Sequence, residues 1–136
     1  MADTLAFDIV TPEGTMFSGD VLMVTLPAVE GQIGVLPHHM RLMTQVVPGE
    51  VTVRLEDGDT FFAVGGGLVD VSGDRVTIVT DMAVEVDRID EAAVEDARRR
   101  AEARLRDKAS KEEIAAVNAS LARSLAQMRV RRRHRG

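Results

Sequence analysis

The sequence predicts a mainly β protein with an added α unit. An N-terminal antiparallel β-sandwich or barrel occupies residues 1–86, and an antiparallel two-helix hairpin occupies residues 87–136. Three observations predict this. All four Pro, all four Phe and ten of the eleven Gly lie before residue 74, and neither Gly nor Pro falls between Asp74 and Arg135. Apolar residues recur at every second position in the first part and at every third or fourth in the last. Charge divides at the same place: residues 1–88 carry four Arg against fourteen acids, a net −10, while residues 89–136 carry thirteen Lys and Arg against eight acids, a net +5. Opposite charge and opposite patterning on either side of one point indicate two structural units.

In the first unit, Leu5, Phe7 and Ile9 alternate with Ala6, Asp8 and Val10, the pattern of a half-buried strand. Thr11-Pro12-Glu13-Gly14 supplies a turn, Pro setting φ and Gly free to take a positive one. Val21 to Leu26 is predicted as one continuous apolar strand closed by Pro27 and by Glu30-Gly31. Val51, Val53 and Leu55 alternate with Thr52 and Arg54, and Glu56-Asp57-Gly58-Asp59 makes a hairpin turn. Thr60–Val64, Leu68–Val71 and Arg75–Thr80 follow, separated by Gly65-Gly66-Gly67 and Ser72-Gly73-Asp74. Short β-branched strands at this spacing predict an antiparallel sandwich or barrel.

In the second unit, Ile89, Ala93, Ala97, Ala101 and Leu105 recur every four residues and are expected on one helix face. Arg98, Arg99, Glu102 and Arg106 fall elsewhere on the wheel. Asp107-Lys108-Ala109 breaks the pattern. Ser110-Lys111-Glu112-Glu113 matches a capping box, in which the Ser110 hydroxyl and the Glu113 carboxylate each meet a backbone donor. Ile114, Val117, Leu121, Leu125 and Met128 are expected as the apolar stripe of the second helix. Helices joined by so few residues run antiparallel. An alanine seam allows close approach but buries little, at about 0.8 kcal/mol per CH₂. The hairpin is therefore expected to be the weaker unit, able to open or redock, against the alternative of a rigid brace.

Composition excludes several classes of function. With no cysteine there are no disulfides, thiolate zinc sites, iron–sulfur clusters or thiol chemistry. No apolar run approaches the ~18 residues of a membrane span, and Met1-Ala2-Asp3-Thr4 lacks the features of a secretory signal, so a reducing compartment is expected. His38-His39 lacks metal-ligand spacing and reads as a surface or interface pair. Gly65-Gly66-Gly67 precedes a strand where a phosphate loop needs a helix, and reads as a bend or bulge. No catalytic constellation, metal site or cofactor is expected. The basic end, Arg129-Val130-Arg131-Arg132-Arg133-His134-Arg135, is expected to meet an acidic protein surface. A solvated tail ranks second. Nucleic-acid binding ranks third, since no aromatic residue accompanies the arginines for base stacking.

Three stretches carry a family resemblance: Pro12-Glu13-Gly14-Thr15-Met16-Phe17-Ser18-Gly19-Asp20-Val21, Glu30-Gly31-Gln32-Ile33-Gly34-Val35-Leu36-Pro37-His38-His39 with Pro48-Gly49, and Phe62 to Val71 through the triple glycine. With Leu121-Ala122-Arg123-Ser124-Leu125-Ala126-Gln127-Met128-Arg129-Val130 they resemble the ε subunits of F-type ATP synthases, in the right order over nearly the whole chain. The resemblance implies a non-catalytic central-stalk subunit, peripheral at the cytoplasmic face of a bacterial inner membrane. Its implied partners are the γ subunit, the c-ring and the α/β catalytic head, with no nucleic acid and no direct membrane insertion. It implies a c-ring interface around Glu30, Gly31, Ile33 and His38. It also implies a hairpin that either lies on the sandwich or extends into the catalytic head, where Arg123, Arg129, Arg131 and Arg132 face acidic segments of catalytic subunits and oppose ATP hydrolysis.

Some family members bind ATP on the hairpin through an Ile/Leu-Asp-x-x-Arg-Ala pattern. Here Ile89-Asp90-Glu91-Ala92-Ala93-Val94 stands in that place, with Ala93 at the arginine position, and Gln127 takes a position that can be basic. Asp90, Arg100 and Arg123 remain as remnants of such a site, so ATP binding is expected to be weak or absent. A hairpin that is only structural, inhibition being left to other subunits, is the first rival expectation. A free-standing sandwich adaptor whose basic tail binds RNA or an acidic protein is the second.

Overall fold

The computed structural model describes residues 3–106 and 110–134. Ten strands come first: β1 (Leu5–Thr11), β2 (Gly14–Val21), β3 (Met23–Ala28), β4 (Gly31–Val35), β5 (Leu42–Val46), β6 (Gly49–Leu55), β7 (Gly58–Val64), β8 (Gly67–Ser72), β9 (Arg75–Thr80) and β10 (Ala83–Glu85). A 3₁₀ turn, Val86–Arg88, leads to helices α1 (Glu91–Arg106) and α2 (Lys111–Arg133). The strand order is β10-β7-β6-β3-β5-β8-β9-β1-β2, with β4 paired to β3. Only Ala28↔Val46 joins β3 to β5, so the path divides there into two layers that close as a near-barrel sandwich.

Between the layers sit the inward residues of each alternation. Leu5, Phe7 and Ile9 of β1, Val51 and Val53 of β6, Val69 and Val71 of β8, and Val76 and Ile78 of β9 are all buried. Phe17 packs against Phe7 and meets Phe62 edge-on, with ring centroids 5.6 and 5.8 Å apart. A second apolar cluster lies outside this core: Ala63, Val86, Ile89, Val94, Met128 and Val130, with Phe61 and Val84 packed against it. Successive residues of a strand face opposite sides. Phe62 therefore enters the sandwich while Phe61 and Ala63 face the hairpin.

The structure departs from several expectations. Val21–Leu26 is not one strand: the chain bends at Leu22, ending β2 and starting β3. Pro27 does not close β3 but lies inside it, opposite Gln32 of β4. It is tolerated because β3 leaves β6 after Thr25 and meets β5 only at Ala28, so no ladder bond on that side needs an N–H at Pro27. The sheet is antiparallel except at β1–β9, which pair in parallel, and alternation carries no strand direction from which to foresee this.

On α1 the buried residues are Val94 and Ala101, whereas Ala93 is exposed. On α2, Ile114 and Leu125 of the predicted stripe are exposed, at 38% and 48%. Met128 of that stripe is buried and Val117 and Leu121 are half-buried, and the buried positions form two i,i+4 rows, Ser124 with Met128 and Ala126 with Val130. Two rows arise because the last half of α2 is packed by both α1 and the sandwich. Half of the capping box forms: the Ser110 hydroxyl accepts the Glu113 N–H at 3.2 Å. The Glu113 carboxylate accepts from Arg104 of α1 at 2.7 Å, a charged partner in place of the backbone N–H. The predicted break at Asp107-Lys108-Ala109 lies outside the described residues.

Candidate functional site

Among the described residues no group of three or more His, Asp or Glu is placed to hold a metal ion, and no helix is long and apolar enough to cross a membrane. Three surfaces stand out among the described residues.

The first is the outer face of β5, β8, β9 and β1. Because Val69, Val71, Val76 and Ile78 point inward, their neighbours point out, and Leu68 and Val79 are 55% and 54% exposed. Register sets Gln45, Leu68, Val79 and Val10 side by side across four strands. Val10, Pro12, Leu68 and Val79 line an open groove of about 520 Å³. Met43 continues the face at 68% exposure. The sequence reading missed this patch, yet its signal was there: once Val69 and Ile78 are assigned to the core, Leu68 and Val79 must face outward.

The second is the loop region predicted to contact a ring. Glu30 and Gly31 are exposed at the β3–β4 turn, which Gly31 makes with φ +124. Ile33 is half-buried and packs against the core. His38 lies beyond β4, so the five extended residues of that strand, about 16 Å at ~3.3 Å each, hold it away from Glu30. The four residues are thus not one cluster. His38 takes a positive φ of 67, its N–H donates to Asp74 at 2.9 Å, and its ring lies 3.4 Å from Asp3 and 3.2 Å from Asp74.

The third is the hairpin. Asp90 caps α1, its Oδ1 accepting from the N–H groups of Ala92 at 3.0 Å and Ala93 at 3.2 Å. Arg100 lines the α1–α2 groove beside Ala97, Ala101, Arg104 and Val117. Arg123 pairs with Asp81 at 3.0 Å, and Gly65 makes this possible, since a Cβ there would fall 1.9 Å from the Asp81 carboxylate. A hydrogen bond from Arg98 holds the Glu95 carboxyl below the usual carboxylate range and raises Arg98 in turn. Arg129 and Arg132 are exposed and Arg131 half-buried.

The predicted solvated tail is not seen as far as His134. Helix α2 continues to Arg133 and its end lies on the sandwich. Arg133 is 3.7 Å from Glu50, the His134 ring is 2.8 Å from the same carboxylate, and that ring stacks on Phe61 with centroids 3.8 Å apart. Attraction between a basic helix and an acidic sandwich, added to apolar burial, accounts for the docking. Arg135 lies outside the described residues.

Comparison with known proteins bears on both units. The family described as ATP synthase, Delta/Epsilon chain, beta-sandwich domain matches residues 4–86, and the long alpha-helix domain of the same chain matches residues 87–131. The ATP synthase epsilon chain of Alkalilimnicola ehrlichii is 42% identical over 135 residues, covering 96% of each chain. That of Nitrosococcus oceani is 41% identical, covering 99% of this chain and 97% of its own. Among solved structures, a chain of the Euglena gracilis mitochondrial ATP synthase (OSCP/F1/c-ring) superposes with a TM-score of 0.75 at 22% identity, covering 93% of this chain and 80% of that one. A chain of the Tetrahymena thermophila central stalk and c-ring gives 0.59 at 13% identity, covering 95% and 97%. With both of its units matched in order and relatives alike from end to end, the chain belongs to the ATP synthase delta/epsilon chain family.

Proposed function

We propose that the chain is the epsilon subunit of a proton-translocating F-type ATP synthase: a non-catalytic part of the central stalk that couples a c-ring to the catalytic head through γ. The observation that carries this reading is the match of both units to epsilon chains, on a fold whose β5–β8–β9–β1 face exposes Leu68, Val79 and Met43. A contiguous apolar face on a small protein marks a docking surface, and we assign it to the γ shaft. The solved relatives come from F1/c-ring and central-stalk assemblies, which supports γ, the c-ring and the catalytic head as partners. We assign the subunit a peripheral position, at the cytoplasmic face of a bacterial inner membrane.

The units are taken as residues 1–86 and 87–136. Glu30 and Gly31 at the exposed β3–β4 turn are proposed to meet the c-ring, with Ile33 supporting the turn from the core side and His38 contributing from a separate loop. The hairpin is proposed to restrain ATP hydrolysis when it leaves the sandwich and presents Arg123, Arg129, Arg131 and Arg132 to acidic segments of catalytic subunits. The exposed Ile114 and Leu125 suit a helix with a second partner, since an apolar stripe left facing water is stabilised by being covered. The adaptor with an RNA-binding tail is not favoured: the helix end that carries Arg133 and His134 is already engaged with Glu50.

Truncation after Asp87, followed by reconstitution with γ and the catalytic head, tests the proposal. Retained γ binding with faster ATP hydrolysis is expected. Unchanged hydrolysis removes the hairpin's restraining role, and lost γ binding by a folded sandwich removes the assignment of the docking face.

A further inference from the structure

The end of α2 is fastened to the sandwich more firmly than the rest of the hairpin. Helix α2 stops at His134, whose N–H returns to the Val130 carbonyl at 3.2 Å. That ring lies flat on Phe61 of β7, with 23° between the planes. Its Nε2 is 2.8 Å from Glu50 of β6. A carboxylate only accepts, so the shared proton sits on Nε2. The pair is shielded, with side-chain exposures of 20% for His134 and 12% for Glu50. The ion pairs that α2 makes with the sandwich are more open: Arg123 with Asp81 at 33% and 45%, and Arg133 with Glu50 at 70% on the arginine side. Exposed ion pairs contribute little, while shielded and aromatic-backed ones contribute more. Eleven residues separate Arg123 from His134, about 16 Å of helix at ~1.5 Å per residue. The first six residues of α2 are all exposed. Docking is therefore concentrated in the last half of the helix, and the shielded fastening is at its very end.

We propose that His134, held between Phe61 and Glu50, is a clasp that sets how often the hairpin leaves the sandwich. Glu50 serves both side chains of the helix end, His134 and Arg133, and Thr52 Oγ1, donating to its Oε1 at 3.4 Å, orients it. The clasp rests on the reading of the hairpin as a movable element, and its test separates the two.

The chain has no cysteine, so one introduced thiol reports alone. Ala126, fully buried where α2 meets Pro48, Gly49 and Glu50, becomes the reporter as Ala126→Cys in the full-length chain. Its rate of labelling by a thiol reagent reads undocking. Val35→Cys, in the sandwich core, reads unfolding of the sandwich. His134→Ala and Glu50→Gln are each expected to speed labelling at position 126 about tenfold to a hundredfold, the loss of a hydrogen bond to a charged group, with labelling at position 35 unchanged. His134→Phe keeps the stacking and is expected to fall between. Unchanged labelling at 126 in both variants, or an equal rise at 35, overturns the clasp. Assembled with γ and the catalytic head, His134→Ala is then expected to slow ATP hydrolysis. Faster labelling with unaltered hydrolysis keeps the clasp and removes the hairpin's restraining role.

Discussion

At Gly67 an added Cβ would fall 1.9 Å from the Val79 carbonyl oxygen and 2.8 Å from the Thr80 Cα. Both are backbone atoms of the partner strand, fixed by the β8–β9 ladder, so neither can give way cheaply. Gly67→Ala is therefore expected to lose about 1–3 kcal/mol in urea denaturation, the usual cost of overpacking. Gly65→Ala is expected to lose less, because what it meets is the free end of the Asp81 side chain. The run of three glycines reads as a bend in the sequence, but two different close approaches require its first and last members, Gly65 and Gly67.

Asp90 also changes meaning at this scale. Read as an ATP-site remnant, it is seen capping α1, and Arg123 is seen paired with Asp81. Asp90→Ala is expected to cost about 1 kcal/mol of helix stability and to speed amide exchange over the first turn of α1, while Asp90→Asn retains the cap. Calorimetry with ATP is expected to show no micromolar binding for either variant or for the parent chain.

Among elements, α1 draws part of its stability from charge. Its Glu95 is held ionised chiefly by the hydrogen bond from Arg98, with Arg99 adding attraction. A carboxylate lowered in the folded state stabilises it above the unfolded-state pKa, and that contribution is lost as pH falls through the folded-state value. Acidification from neutral pH is expected to loosen α1, seen as faster proteolysis or lower helicity of the hairpin. Glu95→Gln is expected to start from lower stability and to show less of this decline. For α2 the sequence showed one apolar stripe, whereas the helix uses two narrower rows. A single helix wheel cannot show that two neighbours approach from different sides.

For the whole molecule, the two sheets are treated differently. The outer face of β6–β7 is covered by the hairpin through Phe61, Ala63, Met128 and Val130, while the outer face of β8–β9 stays open at Leu68 and Val79. Leu68→Asp combined with Val79→Asp is expected to weaken γ binding by about tenfold or more, as for central apolar residues of an interface. Register sets the two positions directly opposite, so the paired Asp charges repel and the melting temperature of the isolated chain is expected to fall while the sandwich stays folded at the assay temperature. Unchanged affinity in a pull-down or titration with γ moves the docking surface elsewhere.

Alternation, turn chemistry and capping are local, and they determined most of the elements: β1, β9, the Gly58 and Gly73 turns, the Ser110 cap and the division into a β unit and a helical unit were all legible in the sequence. The acidic and basic halves were legible too, as was the family. Only the tertiary structure decided the parallel β1–β9 pairing, the place of Pro27 inside a strand, the exposure of Ile114 and Leu125, and the landing of His134 on Glu50. The physical reason is separation along the chain. Those outcomes depend on which surfaces meet, and Glu50 and His134 stand 84 residues apart, beyond the reach of any local pattern.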